Sequence, residues 1–259
     1  MHTSPRGFIF MKNTQIIILA AGKGVRMKSD EPKALVMLRN KPFIRHILDT
    51  VSTLPLEIPP VIVVGHKKER VKEVLGNNYL YAEQKELLGT GHAVASAKES
   101  VHPAHRTVLV LSADQPLISK ETIERLLEKH HEKKPTITIA TALLPDFEEW
   151  RSSLRHFGRI VRGEDGVVEG IVEFKDATEK EKMIKEVNSA VYAFDADWLW
   201  ENIGLIKNEN VKREYYLTDL IKIAHEQNKK IEAVKVANIL EGLQPNSKEE
   251  LKLLEKFAV

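Results

Sequence analysis

A chain of 259 residues that is 42% hydrophobic and 29% charged is long enough to bury about three quarters of its unfolded surface and too apolar to stay disordered. Its 39 basic and 37 acidic residues leave a net charge of +2, which argues against nucleic acid as a partner, and the lack of cysteine excludes disulfides, thiolate metal sites and a cysteine nucleophile. No window reaches the roughly 18 apolar residues of a membrane span, so no membrane partner is expected and a cytoplasmic location is.

Residues 1–13 read as an N-terminal extension, with Met11 as a second candidate start. The apolar run "IIILAA" is only six residues long, short of the about 7 to 15 that a secretory signal needs. The remainder, 14–259, reads as one domain whose first half (14–145) alternates strand and helix. "QIIILA", "PPVIVVG", "TVLVLSA" and "TITIATALL" are short β-branched runs bounded by Gly, Pro or polar residues, the pattern of buried parallel strands. Between them "KPFIRHILDTVSTL", "KKERVKEVLG", "GHAVASAKESV" and "SKETIERLLEKHHEK" carry apolar residues at helical spacing, the last opened by Ser119 and Thr122. This order predicts an α/β, Rossmann-like, mostly parallel sheet with helices on both faces, whose ligands lie at the carboxyl ends of the strands.

The second half (146–259) changes character. "FGRIVRGEDGVVEGIVEFK" predicts a hairpin turned at 164–166, "EVNSAVYAFDA" a further strand, and the two together a small β-rich lobe capping the open edge of the sheet. The charge-rich 175–186 reads as a solvated connection, and "NSKEELKLLEKF" as a final helix. No hexapeptide repeat follows residue 240.

The first chemical signal is "LAAGKGVRM" (19–27), directly after the first strand. Its glycines free backbone N–H groups to face an anion, yet it matches neither the dinucleotide fingerprint nor the P-loop, and by itself could be only a turn. Arg26, and Lys33 in "EPKAL" stiffened by Pro32, add two cations within a short span. Two phosphate-bearing reactants repel by roughly 4 kcal/mol per unit charge pair at about 4 Å in a dielectric near 20, so cations of this kind make their encounter possible. Asp114, a lone acid at the end of the otherwise buried strand "VLVLSAD", is a candidate for Mg²⁺, which takes one or two carboxylates together with phosphates and water. The other reading of Asp114 is a helix cap.

"LAAGKGVRM", "EPKAL", "LLGTGHA", "ADQPLI", "FGRIVR", "IVEFKDA", "EVNS" and "EYYLTD", in this order, resemble the N-acetylglucosamine-1-phosphate uridylyltransferase family, the pyrophosphorylase half of the bifunctional GlmU proteins among the sugar-nucleotide pyrophosphorylases. The resemblance runs from about residue 14 to the C-terminus. It implies a Mg²⁺-dependent transfer between UTP and N-acetylglucosamine 1-phosphate for cell-wall precursor synthesis. Leu19, Ala20, Ala21 and Gly22 would line the nucleotide, and Arg26 and Lys33 would stabilise charge on the reacting phosphates. Gln84 would read uracil, its amide meeting the paired donor and acceptor of the base, with Gly89 and Thr90 closing over it. Ser112, Ala113 and Asp114 stand where the family has Tyr-Gly-Asp, so only the aspartate is kept.

On the sugar side the resemblance assigns Gly158, Glu173 and Asn188, bordered by Tyr216 and Thr218; the family's Asn-Thr-Gly is Asn188-Ser189-Ala190 here, which adds a methyl group. The second metal ligand falls on Asn246 if two inserted residues are allowed in "EGLQPNSKEEL", or on Gln244 if they are not; Asn246 could also be the cap of the last helix. Bifunctional members continue into a β-helix acetyltransferase that also builds their trimer, so acetyl transfer is not expected of this chain and a monomer or weak oligomer is. Two other readings stay open: a relative with another sugar phosphate or nucleotide, such as glucose 1-phosphate or dTTP, and a silent sugar-nucleotide binder. His92 in "GTGHA" reads as structural, the adjacent His130 and His131 cannot share a metal, and Trp198 and Trp200 read as packing.

Overall fold

Strand pairing follows the alternation of the sequence in the first half and departs from it in the second. The computed structural model describes residues 9–24 and 31–258. Its strands are β1 (Thr14–Leu19), β2 (Met37–Leu38), β3 (Lys41–Pro42), β4 (Val61–Val64), β5 (Leu80–Glu83), β6 (Thr107–Ser112), β7 (Ile137–Leu143), β8 (Arg159–Arg162), β9 (Val168–Val172), β10 (Glu186–Asp195) and β11 (Ile231–Lys235). The helices are α1 (Ile9–Lys12), α2 (Phe43–Ser52), α3 (Lys68–Leu75), α4 (Thr90–Ser96), α5 (Lys120–Lys133), α6 (Glu179–Lys182), α7 (Ala196–Asn202), α8 (Asp219–Glu226) and α9 (Lys248–Phe257).

The main sheet runs β11-β7-β10-β6-β1-β4-β5, with the hairpin β8–β9 attached through β10. β6, β1, β4 and β5 are mutually parallel. β10 is antiparallel to both β6 and β7, and β11 is parallel to β7. One expectation is corrected here. The run "TITIATALL" is the buried strand β7, with β10 between it and β6. The second half therefore does more than cap an edge: β11 takes the edge beside β7, and its longest strand, β10, threads into the middle of the sheet. A β-branched run records burial on both faces, not the identity of its neighbour, so the sequence could not choose the partner. β5 and β11 were not foreseen at all: each is a half-exposed strand of four or five residues without an apolar run.

Alternation along the strands builds two cores. Ile16, Ile18, Ile62, Val64, Leu109 and Leu111 point to the face covered by α2, α3 and α5. Ile17, Val61, Val63, Val108 and Val110 point to the other, covered by α4, α7 and α8. The stripe Phe43, Ile44, Ile47, Leu48 and Val51 seats α2, and Ser119 caps α5 by accepting from Thr122 N at 3.1 Å. Trp198 is buried in the second core and donates from Nε1 to Gln227 Oε1 at 2.8 Å. Within the charge-rich connection, Thr178 and Glu181 form a capping box on α6. No helix among the described residues is long and apolar enough to cross a membrane.

Candidate active site

Parallel register sets the first part of the site. Leu19 pairs with Ser112, Ala113 N donates to Leu19 O at 3.0 Å, and Ala20 N donates to Val63 O at 2.9 Å. Residues 20–22 and 113–114 thus leave adjacent strands at the same carboxyl edge. Lys33 N donates to Gly22 O at 3.2 Å, closing the loop that opens with the glycine motif, and the buried Ala34 and Leu35 anchor the turn behind it. The Lys33 ammonium, on a side chain only 15% exposed, is ion-paired with Asp114 Oδ2 and donates to Asn246 Oδ1 at 2.8 Å. Arg26 lies outside the described residues.

A buried carboxylate brings Asn246 to this edge from the far end of the chain. Glu241 accepts from Ser119 N at 3.1 Å, from Ser119 Oγ at 2.9 Å and from Asn238 N at 3.0 Å. Gln115 Nε2 donates to Ser189 O at 2.9 Å and to Glu241 O at 2.7 Å, so the residue after Asp114 ties both later segments to the loop. Asn246 is then oriented by donation from Nδ2 to Gln244 O at 2.8 Å and from its backbone N to Glu250 Oε2 at 2.6 Å. It is not the cap of α9; Ser247 is, accepting from Glu250 N at 3.1 Å. Gln244 lines the same cleft with its Nε2 buried and without a partner among the described residues. A carboxylate and an amide oxygen around one cation form a donor set that suits Mg²⁺, which keeps its other positions for phosphates and water.

The next part of the cleft rests on glycine. Gly89 has φ +111°, and a Cβ there would stand 2.6 Å from Tyr215 O. That closeness zips the loop before α4 to residues 215–217: Tyr215 N donates to Leu88 O at 2.7 Å, Gly91 N to Tyr215 O at 2.8 Å and Leu217 N to Thr90 Oγ1 at 3.0 Å. Gln84, at the end of β5 and 4% exposed, donates from Nε2 to Gly89 O at 2.9 Å.

The opposite end draws on four separate segments. Gly158 packs so closely on β9 that a Cβ would lie 2.8 Å from Ile171 Cγ2, and its carbonyl accepts from Asn188 N at 2.9 Å. Asn188 sits at a register shift of β10, donating from Nδ2 to Tyr192 Oη at 2.6 Å and accepting from Ala190 N at 3.0 Å. Ala190 has φ +53°, the left-handed region in which a methyl group is strained. Thr218 Oγ1 donates to Glu173 Oε1 at 3.2 Å, and burial pushes the Glu173 carboxyl above its usual range. The buried Tyr216 hydroxyl has no partner among the described residues, and the Lys212 ammonium lies 5.8 Å from its ring centre.

All the expected residues other than Arg26 line one cleft of about 1050 Å³. Reading the sequence missed Tyr192, Lys212, Phe174 and His156, which also line it. Tyr192 lay in a run legible only as strand, and the other three carry no motif beyond their neighbours.

Residues 16–148 match the MobA-like NTP transferase domain family. The bifunctional protein GlmU of Exiguobacterium sibiricum is 42% identical over 90% of this chain and 50% of its own length, and that of Bacillus licheniformis 41% identical over 93% and 51%. The chain spans about half the length of the curated relatives it matches. Among solved structures, a UDP-glucose pyrophosphorylase complexed with UDP-glucose aligns with TM-score 0.75 at 18% identity, over 94% of this chain and 97% of that one. A 4-diphosphocytidyl-2C-methyl-D-erythritol synthase from Anaerococcus prevotii aligns with TM-score 0.64 at 15% identity, over 94% and 97%. At these identities the structures share the fold.

Proposed function

The chain belongs to the MobA-like NTP transferase domain family, and from that premise we propose that it is a sugar-1-phosphate nucleotidyltransferase joining UTP and N-acetylglucosamine 1-phosphate to give UDP-N-acetylglucosamine and pyrophosphate in the cytoplasm. One observation carries the reading: Lys33, Asp114 and Asn246 converge at the carboxyl edge of β1 and β6, in one cleft that Gln84, Glu173 and Asn188 also line. Asp114 and Asn246 would hold Mg²⁺, which when bound supplies charge neutralisation between the phosphates.

In this reading the sugar phosphate oxygen attacks the α-phosphorus of UTP in line, and pyrophosphate leaves. No protein nucleophile is required; the chain positions two anions and stabilises the charge that develops between them. Lys33 contributes a cation held at low exposure, where its field is less screened than in water, and Arg26 is assigned the same task. Backbone groups of residues 19–22 line the nucleotide, the Ala20 N–H itself being held by Val63 O within the sheet. At the sugar end the Glu173 carboxylate and Asn188 amide read hydroxyl and acetamido groups, and the unpartnered Tyr216 hydroxyl offers a further hydrogen bond. Residues 14–145 act as the nucleotide half and 146–259 as the sugar half of one unit.

A second reading keeps the chemistry and changes the sugar. The Ala190 methyl lines the cleft two residues from Asn188, which favours a sugar with less bulk at C2, such as glucose 1-phosphate. Pyrophosphate release measured across four nucleoside triphosphates and several sugar phosphates separates the two. Turnover with UTP and N-acetylglucosamine 1-phosphate is the expected result; nucleotide binding without turnover in any combination would leave a silent binder and sink the enzyme reading.

A further inference from the structure

His92 has no part in the function above, yet it touches the residue assigned to the base. Gln84 Nε2 donates to Gly89 O at 2.9 Å and lies 3.2 Å from His92 Nδ1. The amide cannot be turned over, since a carbonyl oxygen only accepts and a flipped amide would set two oxygens against each other. Gly89 O is itself held in place: it also accepts from Ala93 N at 3.1 Å, and its loop is hydrogen-bonded to residues 215–217. With Nε2 the donor, His92 Nδ1 must accept, which fixes the ring as the tautomer protonated on Nε2. Both amide N–H groups are therefore engaged inside the protein. Oε1 alone is left for a ligand, and it only accepts.

This corrects the expectation that the Gln84 amide meets both a donor and an acceptor of the base. We propose that His92 is a positioning residue that, together with Gly89 O, locks the Gln84 amide with its acceptor outward and so restricts the base site to pyrimidines carrying an N3–H donor. Uracil and thymine have that donor. Cytosine has an acceptor at N3 and would place a lone pair against Oε1, a mismatch that a buried amide cannot relieve by rotating. The inference rests on the nucleotidyltransferase reading for its setting, but concerns base selection rather than the reaction.

The test is nucleotide selectivity in His92→Leu and His92→Gln. Leucine removes the acceptor and frees one amide N–H; glutamine restores an acceptor through its own Oε1. The wild type is expected to favour UTP or dTTP over CTP by at least about 100-fold in kcat/KM, as a site whose buried polar group is left mismatched discriminates strongly. In His92→Leu that preference falls about tenfold, through KM more than kcat, and in His92→Gln it stays within about threefold of wild type. A wild type that prefers CTP, or a His92→Leu enzyme whose KM rises equally for every nucleotide, would overturn the proposal. If no combination of substrates releases pyrophosphate, the functional reading fails separately, and calorimetric binding of UMP against CMP to wild type and His92→Gln decides instead. Preference for UMP in both supports the lock; equal binding of CMP by the wild type refutes it.

Discussion

The end of the cleft proposed for the phosphates and the end proposed for the sugar are built in different ways. At the phosphate end, the parallel register Leu19↔Ser112 delivers two loops to one edge, and three polar side chains, Lys33, Asp114 and Asn246, meet there. At the sugar end, a hairpin, a bulged antiparallel strand and the segment 214–218 each supply one or two groups, and the backbone carries strain at Ala190. Backbone register makes the first end insensitive to most side chains except the charged ones. The second depends on side-chain hydrogen bonds such as Asn188 to Tyr192 and Thr218 to Glu173, so it is where substitution can shift specificity without abolishing chemistry.

The sharpest way to break this contrast is at Lys33. Lys33→Met is expected to lower kcat by about 10³-fold, on the order of 4 kcal/mol of transition-state stabilisation, while the KM for UTP moves only a few-fold. Equal losses confined to binding would remove Lys33 from the chemistry. Next in size, Asn188→Ala should raise the KM for the sugar phosphate by roughly 10- to 30-fold, about 1.4 to 2 kcal/mol, and leave the KM for UTP unchanged. Steady-state kinetics with each substrate varied in turn reads both.

The acidity of Glu173 gives a smaller, pH-dependent version of the same contrast. Burial raises its carboxyl above the ordinary glutamate range, so it takes up a proton at a higher pH than an exposed glutamate would. Binding that needs the carboxylate is complete above that raised value and is lost as pH falls through it. The KM for the sugar phosphate should therefore climb on acidification before the KM for UTP does, and Glu173→Gln should flatten that rise. A rise shared equally by both substrates would mean that another group titrates. The smallest effect belongs to Ala190→Gly, which relieves the left-handed strain of about 1 to 2 kcal/mol and adds about 0.5 to 1 kcal/mol of backbone entropy, for a net gain of roughly 0.5 to 1 kcal/mol in thermal unfolding. No gain would mean that the bulge already accommodates the methyl group.

The phosphate end was largely legible in the amino-acid order. A buried strand ending in a glycine loop, and another ending in a lone aspartate, point to one edge whenever both strands are parallel in the same sheet. Gln84 was legible only through resemblance, because β5 lacks an apolar run, and the contacts of its amide could not be read at all: Gly89 O and His92 Nδ1 become its partners only in the folded loop. Asn246 was ambiguous with Gln244 because linear spacing does not say which side chain faces Lys33; the Glu241 carboxylate, clamped on Ser119, does.

Amino-acid order by itself determined which segments of the first half form buried strands, and that the glycine loop and the lone Asp114 follow the carboxyl ends of two of them, because periodicity and glycine placement are local properties of a chain. Only the tertiary structure decided that β10 threads between β6 and β7, that residues 158 to 246 close the same cleft, and which atom of Gln84 faces outward. The strand order and the closing of the cleft depend on contacts between residues tens to hundreds of positions apart, and the Gln84 contacts, though only five and eight residues apart, form only in the folded loop; partners are selected by packing and hydrogen-bond satisfaction rather than by any local pattern.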